Sequence, residues 1–227
     1  METIQVVLEL GKKRIFASAL DWPGWSRSGK DEESALSALL DYGDRSAAVL
    51  QLEDFAFQPP ADPSAFAVIE RLEGGAGTDF GAPEAPAEAE VEPPDLDGLE
   101  RLKTLLRAYW QAFDQAIKQA QGKELRKGPR GGGRELDEIV RHVIEADKAY
   151  LRRLAWKPEK TREMSLEEDL GYTRAEILGT LERAAREGLP EQGPRGGKIW
   201  PVRYFVRRSG WHVLDHVWEI EDRIIAE

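Results

Sequence analysis

Three histidines are the residues of this chain best suited to bind a metal ion. His212 and His216 lie four positions apart in WHVLDHVWEIEDR, and His142 lies in RELDEIVRHVIEADKAYLRRLAW, with no other histidine in the sequence. On an α-helix, residues four apart lie on one face, one turn above the other. Neutral imidazole is a common metal ligand, and two on one helix with one from a neighbouring helix can supply three ligands of an open site.

The segments around these histidines belong to a series of four predicted helices. Apolar residues recur in them every three or four positions, which is typical of helices that bury one face. Four amphipathic helices with short links on either side of one longer crossover predict a four-helix bundle. The helices are predicted at residues 99–121, 134–156 and 173–188 and from Pro201 almost to the carboxyl terminus, with the crossover at 157–172.

Two capping-box patterns bear on the third helix. Thr173 and Glu176 have the spacing that opens a helix, and we take them as its start. Ser165 and Glu168 have the same spacing within the crossover, where they predict a short turn.

Each histidine is predicted at the edge of a buried stripe, where a bundle builds metal sites from adjacent helices. A second interpretation stays open. His142 could be a hydrogen-bonded residue at the edge of the core, with the His212 and His216 pair merely bordering that core.

The first 73 residues predict a small α+β unit. IQVVLEL and RIFASAL alternate as two strands of a hairpin, and DWPGW turns the chain. A helix from Asp31 to about Leu50 opens with acidic residues, and Phe66–Leu72 returns as a strand. This β-β-α-β order resembles the amino-terminal domain of HicB-like antitoxins over residues 4–73. Because the chain has no basic recognition helix, the resemblance implies the fold and not the antitoxin role.

Residues 74–97 predict the boundary between two domains. They consist mainly of Gly, Ala, Pro and Glu, with Phe80 as their one aromatic residue and no basic residue. Such a composition predicts an extended acidic linker. An ordered strap lying across the first domain is the alternative for the TDFGAP part. The predicted organisation is therefore 1–73, linker 74–97 and 98–227.

The composition limits the classes of partner. The chain has 227 residues, of which 41% are hydrophobic and 33% charged, as in a globular protein. We expect a cytoplasmic protein without a membrane span, since there is no cysteine, no secretory signal and no apolar run near ~20 residues. The net charge of −10 argues against nucleic acid as a partner. The mildly basic residues 98–227 leave room for a small anionic ligand.

Residues 98–227 resemble the DinB-like superfamily. His142, His212 and His216 match the histidine positions of that family, and RYFVRRSGWHVLDHVWEIEDR looks like its actinobacterial-type branch. The resemblance implies an up-down-down-up four-helix bundle holding a divalent metal, zinc or nickel. In some branches it also implies a thiol S-transferase or isomerase that uses a low-molecular-weight thiol such as mycothiol, bacillithiol or glutathione.

Two side chains near the pair are further candidates. Glu219, one turn after His216, is the candidate catalytic residue as a general base; a fourth ligand, a partner that holds a ligand, or a solvated acid paired with Arg223 are its alternatives. Arg208, one turn before His212, is the candidate for binding the carboxylate of a thiol cosubstrate, with a surface role as its alternative. Glu145 and Asp147 are predicted on a solvated face.

These residues support several functions. The leading one is a metal-dependent enzyme that transfers a low-molecular-weight thiol to an electrophile through a metal-bound thiolate. The same ligands could activate water for hydrolysis. A non-enzymatic interaction protein is the alternative of a different class: its HicB-like domain binds a protein partner, and its bundle metal is structural or absent. A homo-oligomer stays open.

Overall fold

The computed structural model describes residues 3–128, 132–158, 163–193 and 196–225. A mixed sheet with helices comes first, and a helical region follows. The predicted order of an α+β unit followed by an all-α region is confirmed. Within the described ranges, no helix is both long and apolar enough to cross a membrane.

The amino-terminal sheet has four strands in the order β3-β2-β1-β4. β1 pairs antiparallel with β2 and parallel with β4, and β2 pairs antiparallel with β3. A parallel pair needs a crossover connection, which two helices supply here. These elements are β1 Ile4–Leu10, β2 Ile15–Ala19, β3 Ser26–Gly29, α1 Glu32–Asp41, α2 Gly43–Leu50 and β4 Phe66–Glu73.

The predicted β-β-α-β order is therefore incomplete. β3 was not predicted, because its sequence SRSG is short and polar and only its pairing with β2 makes it a strand. The predicted single helix is divided at Tyr42 into α1 and α2. A Cβ on Gly43, the first residue of α2, would lie 2.9 Å from the Cβ of Pro59, so this close approach requires glycine.

The segment predicted as an extended linker is ordered, and that prediction is wrong. It contains helix α3, Ala76–Phe80, and a 3₁₀ turn at Glu88–Glu90, and we call residues 74–95 the strap. The buried carboxylate of Glu9 accepts hydrogen bonds from the backbone N–H of Glu84 at 2.9 Å and of Ala85 at 3.1 Å, and from the Thr78 hydroxyl. Polar contacts therefore order the strap.

The helical region contains four long helices. α4 packs against α6 and α7, and α5 also packs against α6 and α7. Their apolar faces join those of the sheet in one core. The helices are α4 Leu96–Ala120, α5 Leu136–Leu151, α6 Leu166–Glu187 and α7 Val202–Arg223.

The third predicted helix starts earlier than expected. α6 begins at Leu166 with Ser165 as its cap, and the Ser165–Glu168 capping box is the true helix start. Thr173 lies inside the helix, where its hydroxyl donates to the Asp169 carbonyl at 2.7 Å. The predicted crossover at 157–172 therefore ends at Ser165, the cap of α6. Its residues 159–162 lie outside the described ranges.

A buried ion pair joins α7 to the strap. Arg207 is 1% exposed, although it lies in an arginine-rich stretch of the sequence. Its Nε lies 2.6 Å and its Nη2 2.7 Å from the two oxygens of Glu90, and Nη2 also donates to the Ala85 carbonyl at 2.8 Å. Glu90 of the strap therefore neutralises the buried positive charge of Arg207 on α7.

The sheet side of the molecule also contacts α7. The Arg27 guanidinium lies over the rings of both Tyr42 and Trp218, 3.6 and 4.0 Å from their centroids, and pairs with Asp215 at 2.8 Å. Trp211 packs edge-on against Phe16, with centroids 5.8 Å apart. One face of α7 is thus covered by the amino-terminal region.

Candidate metal centre

The three histidines meet on a different face of α7. His142 of α5 and His212 and His216 of α7 each offer one ring nitrogen, and these three atoms lie within 4.8 Å of one another. The Nε2 atoms of His142 and His212 are 3.2 Å apart. The structure therefore gathers the predicted residues at one point.

Packing of α5 against α7 positions this histidine cluster. Ile139 and Val143 of α5 are buried in the core, and His142 between them is half-buried at its edge. His212 and His216 are each 7% exposed. The cluster is thus held by two rigid helices and largely removed from water.

The surroundings keep two of the imidazoles neutral. Burial lowers the pKa of His142, and the positive charge of Arg134 lowers it further. Burial lowers the pKa of His212 well below its usual value. Because a metal binds the neutral imidazole, both rings are prepared as ligands at neutral pH.

Glu219 fixes the third imidazole. Its Oε2 lies 2.7 Å from Nδ1 of His216, and its Oε1 accepts from Nη1 of Arg223 at 2.6 Å. The hydrogen bond from His216 lowers the pKa of Glu219, so the acceptor is a carboxylate and His216 Nδ1 carries the proton. The Nε2 lone pair of His216 is left for a ligand. Glu219 therefore orients His216 by binding the ring nitrogen that faces away from the cluster. It also forms the ion pair with Arg223 that the sequence offered as an alternative.

Arg208 lies beside the cluster. Its guanidinium stacks on the rings of Tyr150 and Trp211, 4.7 Å from each centroid. The Tyr150 ring is in turn 5.8 Å from that of His212. The Nη1 of Arg208 is buried without a hydrogen-bond partner among the described residues. A cation with an unused donor thus lies next to a candidate ligand.

Sequence reasoning missed a buried acid in this region. Asp147 was predicted on a solvated face with Glu145, and only Glu145 is exposed. Asp147 is 2% exposed, accepts a hydrogen bond from the Ser209 hydroxyl at 2.8 Å, and has a pKa that burial raises to about 7. Its spacing from Val143, four residues earlier on the core stripe, is the signal that could have found it.

The sequence GPRGG occurs at residues 128–132 and 193–197, and because neither copy has the spacing and preceding strand of a P-loop, we predict turns rather than phosphate-binding loops. A backbone N–H of Gly128 donates to the carbonyl of Gly132 at 2.7 Å, and Gly193 donates to Gly197 at 2.9 Å. Residues 129–131 and 194–195 within these loops lie outside the described ranges.

The separation of His142 and His212 matches that of two ligands of a tetrahedral cation. Zinc–nitrogen distances of about 2.0–2.1 Å place tetrahedral ligand atoms ~3.3 Å apart, near the 3.2 Å between His142 and His212. In the described part of the chain the group of ligand atoms contains no carboxylate. Asp215 pairs with Arg27 instead. Three nitrogen ligands with a free fourth position are typical of catalytic rather than structural sites.

Comparisons with models of protein families, with curated proteins and with solved structures found no match for this chain.

Proposed function

We propose that the chain is a metal-dependent enzyme of the DinB-like type, with an up-down-down-up four-helix bundle following a HicB-like module. The observation that carries this proposal is the convergence of three imidazole nitrogens within 4.8 Å. They come from two helices, and no carboxylate of the described residues joins them.

His142, His212 and His216 would hold a divalent cation, zinc or nickel. Imidazole nitrogen suits both metals. When bound, the cation supplies a Lewis acid that lowers the pKa of a coordinated thiol or water. Burial of the two α7 histidines strengthens electrostatic interactions at this point, because the local dielectric is low.

The remaining side chains have distinct roles in the proposal. Glu219 keeps His216 in the tautomer that presents Nε2. Arg208 offers its unpartnered Nη1 to the carboxylate of a low-molecular-weight thiol. The thiol would give its proton to solvent, its sulfur would then form a bond to the electrophilic carbon, and the leaving group would depart with the electron pair of the broken bond.

A purely structural metal has less support. Such a site is normally closed by a fourth protein ligand. The nearest candidates, Asp215 and Glu219, are directed to Arg27 and to the far nitrogen of His216. The geometry therefore favours a site that accepts an external ligand.

The proposal is tested by turnover of the whole chain loaded with zinc or nickel. Glutathione or bacillithiol with 1-chloro-2,4-dinitrobenzene reports thiol transfer, and 4-nitrophenyl acetate reports hydrolysis. We expect metal-dependent thiol transfer in the wild type and in Glu145→Ala, an exposed control on α5. His142→Ala should lose it. Equal rates in all three proteins, or rates insensitive to chelation, would overturn the proposal; metal-dependent ester hydrolysis alone would replace transferase by hydrolase.

A further inference from the structure

A second site lies where the sheet meets the helical region. A cavity of about 840 Å³ opens between the start of β1, the Pro-Gly turn, residues 56–61, the strap and the first turns of α4 and α7. Ligand sites typically have volumes of ~300–1,000 Å³ and often lie between domains. None of the three histidines lines this cavity, so it is separate from the candidate metal centre.

Aromatic side chains and prolines form one wall of the cavity. The Trp22 ring packs against Phe57 and Phe55, with centroids 4.7 and 6.0 Å away. Pro59 and Pro60 continue this wall, and proline restricts the backbone. Such a surface is suited to stacking a planar group.

The neighbouring wall carries two guanidinium groups. Arg101 of α4 donates to the Asp21 carbonyl at 2.8 Å, and its Cζ lies 4.7 Å from the Trp22 ring centroid. Arg203 of α7 donates through Nε to the Glu92 carbonyl at 3.1 Å. Neither arginine forms a carboxylate ion pair within the described ranges. Both therefore keep donors for an external acceptor.

The acids of the cavity do not neutralise these arginines. Of the two acidic lining residues, Glu90 is bound through both oxygens by Arg207. Asp21 contacts Arg101 through its backbone carbonyl and not through its carboxylate. With Arg207 counted beside Glu90, three arginines against two acids leave a net charge of +1 around the cavity, in a chain whose net charge is −10.

We infer that this cavity binds a planar organic anion. Its flat apolar body stacks on Trp22, and its carboxylate, phosphate or sulfonate accepts hydrogen bonds from Arg101 and Arg203. Planar acceptors suit the fork of donors that arginine presents. The interaction requires no metal.

Calorimetric titration of the full chain with 2-naphthoate, and with neutral 2-naphthamide as the matched ligand, tests this inference. We expect the wild type to bind naphthoate at least about tenfold more tightly than the amide, since each charge-assisted hydrogen bond is strong. Arg101→Gln/Arg203→Gln should weaken naphthoate binding by a similar factor. Arg186→Gln, an exposed arginine outside the cavity lining, should leave it unchanged.

Two further variants separate this site from the metal centre. Ala61→Trp, at an exposed lining position, should block naphthoate without removing a core contact. His142→Ala should bind naphthoate like the wild type, whatever its effect on metal binding. Equal affinity of the double arginine variant and the wild type, equal affinity for the amide, or no binding at millimolar naphthoate would overturn the inference.

Discussion

The two faces of α7 differ in how completely their polar groups are paired. On the face toward the sheet, Arg207 and Asp215 have charged partners at 2.6–2.8 Å. On the histidine face, Nδ1 of His212 and Nη1 of Arg208 are buried without partners among the described residues. Because buried polar groups are normally hydrogen-bonded, the paired side chains of α7 on the first face need no further partner, whereas the buried Nε of Arg27, which contacts that face from β3, has none among the described residues. The second face has capacity left for a ligand.

The comparison also assigns a role to the amino-terminal region. A helix that presents ligands must be fixed in position, since small displacements loosen a site. Tyr109 donates to the Pro23 carbonyl at 2.5 Å, and Gly210 of α7 lets the Tyr109 ring approach, because a Cβ there would lie 2.7 Å from that ring. The amino-terminal region therefore braces α7 from behind the histidines.

Breaking the packing face should have the largest effect on stability. Glu90→Gln removes the charge that neutralises the buried Arg207 and should lower the free energy of unfolding by about 3–5 kcal/mol. Arg71→Gln, which breaks an exposed pair with Glu32, should cost much less, because solvent screens exposed ion pairs. Urea unfolding of both variants measures the difference. Similar losses in the two variants would contradict a buried, mutually neutralising pair of Arg207 and Glu90.

The histidine face should instead respond to pH through Asp147. Its folded-state pKa of about 7 lies above the usual 3.8, so its contribution to stability is fully present below pH ~4 and is lost as the pH rises through 7. Between pH 5 and 8 the wild type should lose roughly 2–3 kcal/mol that Asp147→Asn does not lose. Urea unfolding at both pH values checks this; parallel pH profiles would show that Asp147 is ionised in the fold.

Removing the partner that orients His216 should weaken zinc binding on the histidine face. Glu219→Gln removes the carboxylate that orients His216, and the affinity for zinc should fall by about 10- to 100-fold. Competition with a fluorescent zinc chelator measures this affinity. Glu221→Gln, which alters a surface pair with Arg45 two residues further on, serves as the control. Unchanged affinity in Glu219→Gln would mean that His216 needs no such partner.

The smallest effect is expected when the contact of Arg27 with α7 is weakened. Arg27→Met keeps apolar contact with Tyr42 and Trp218 but loses the ion pair with Asp215, and should cost about 1 kcal/mol of unfolding free energy. Zinc affinity of the folded protein should stay within about twofold. A large loss of zinc affinity with little loss of stability would show that the two faces are not independent.

The sequence predicted the histidine cluster better than its surroundings. The four-residue spacing of His212 and His216 fixes their common face on any helix, and amphipathic periodicity located α5 around His142. Helix starts are harder to predict than helix faces, because a capping pattern also occurs inside helices. Thr173 and Glu176 show that pattern within α6, whereas Ser165 is its actual cap.

The charged interior could not be predicted from local pattern. Arg207 is buried because Glu90, 117 positions away, neutralises it, and no periodicity in either segment reports that pairing. The order of the strap has the same origin, since Glu9 binds its backbone from β1. Long-range polar contacts of this kind depend on tertiary structure, whereas apolar stripes are visible in the sequence.

The most direct test of the central claim is the metal stoichiometry and ligand environment of the reconstituted full chain. Zinc loading followed by X-ray absorption spectroscopy should give one ion per chain with three imidazole nitrogens and one exchangeable light-atom ligand. His142→Ala/His216→Ala should retain no tightly bound zinc. Equal zinc in the double variant and the wild type, or none in the wild type after reconstitution, would contradict the account.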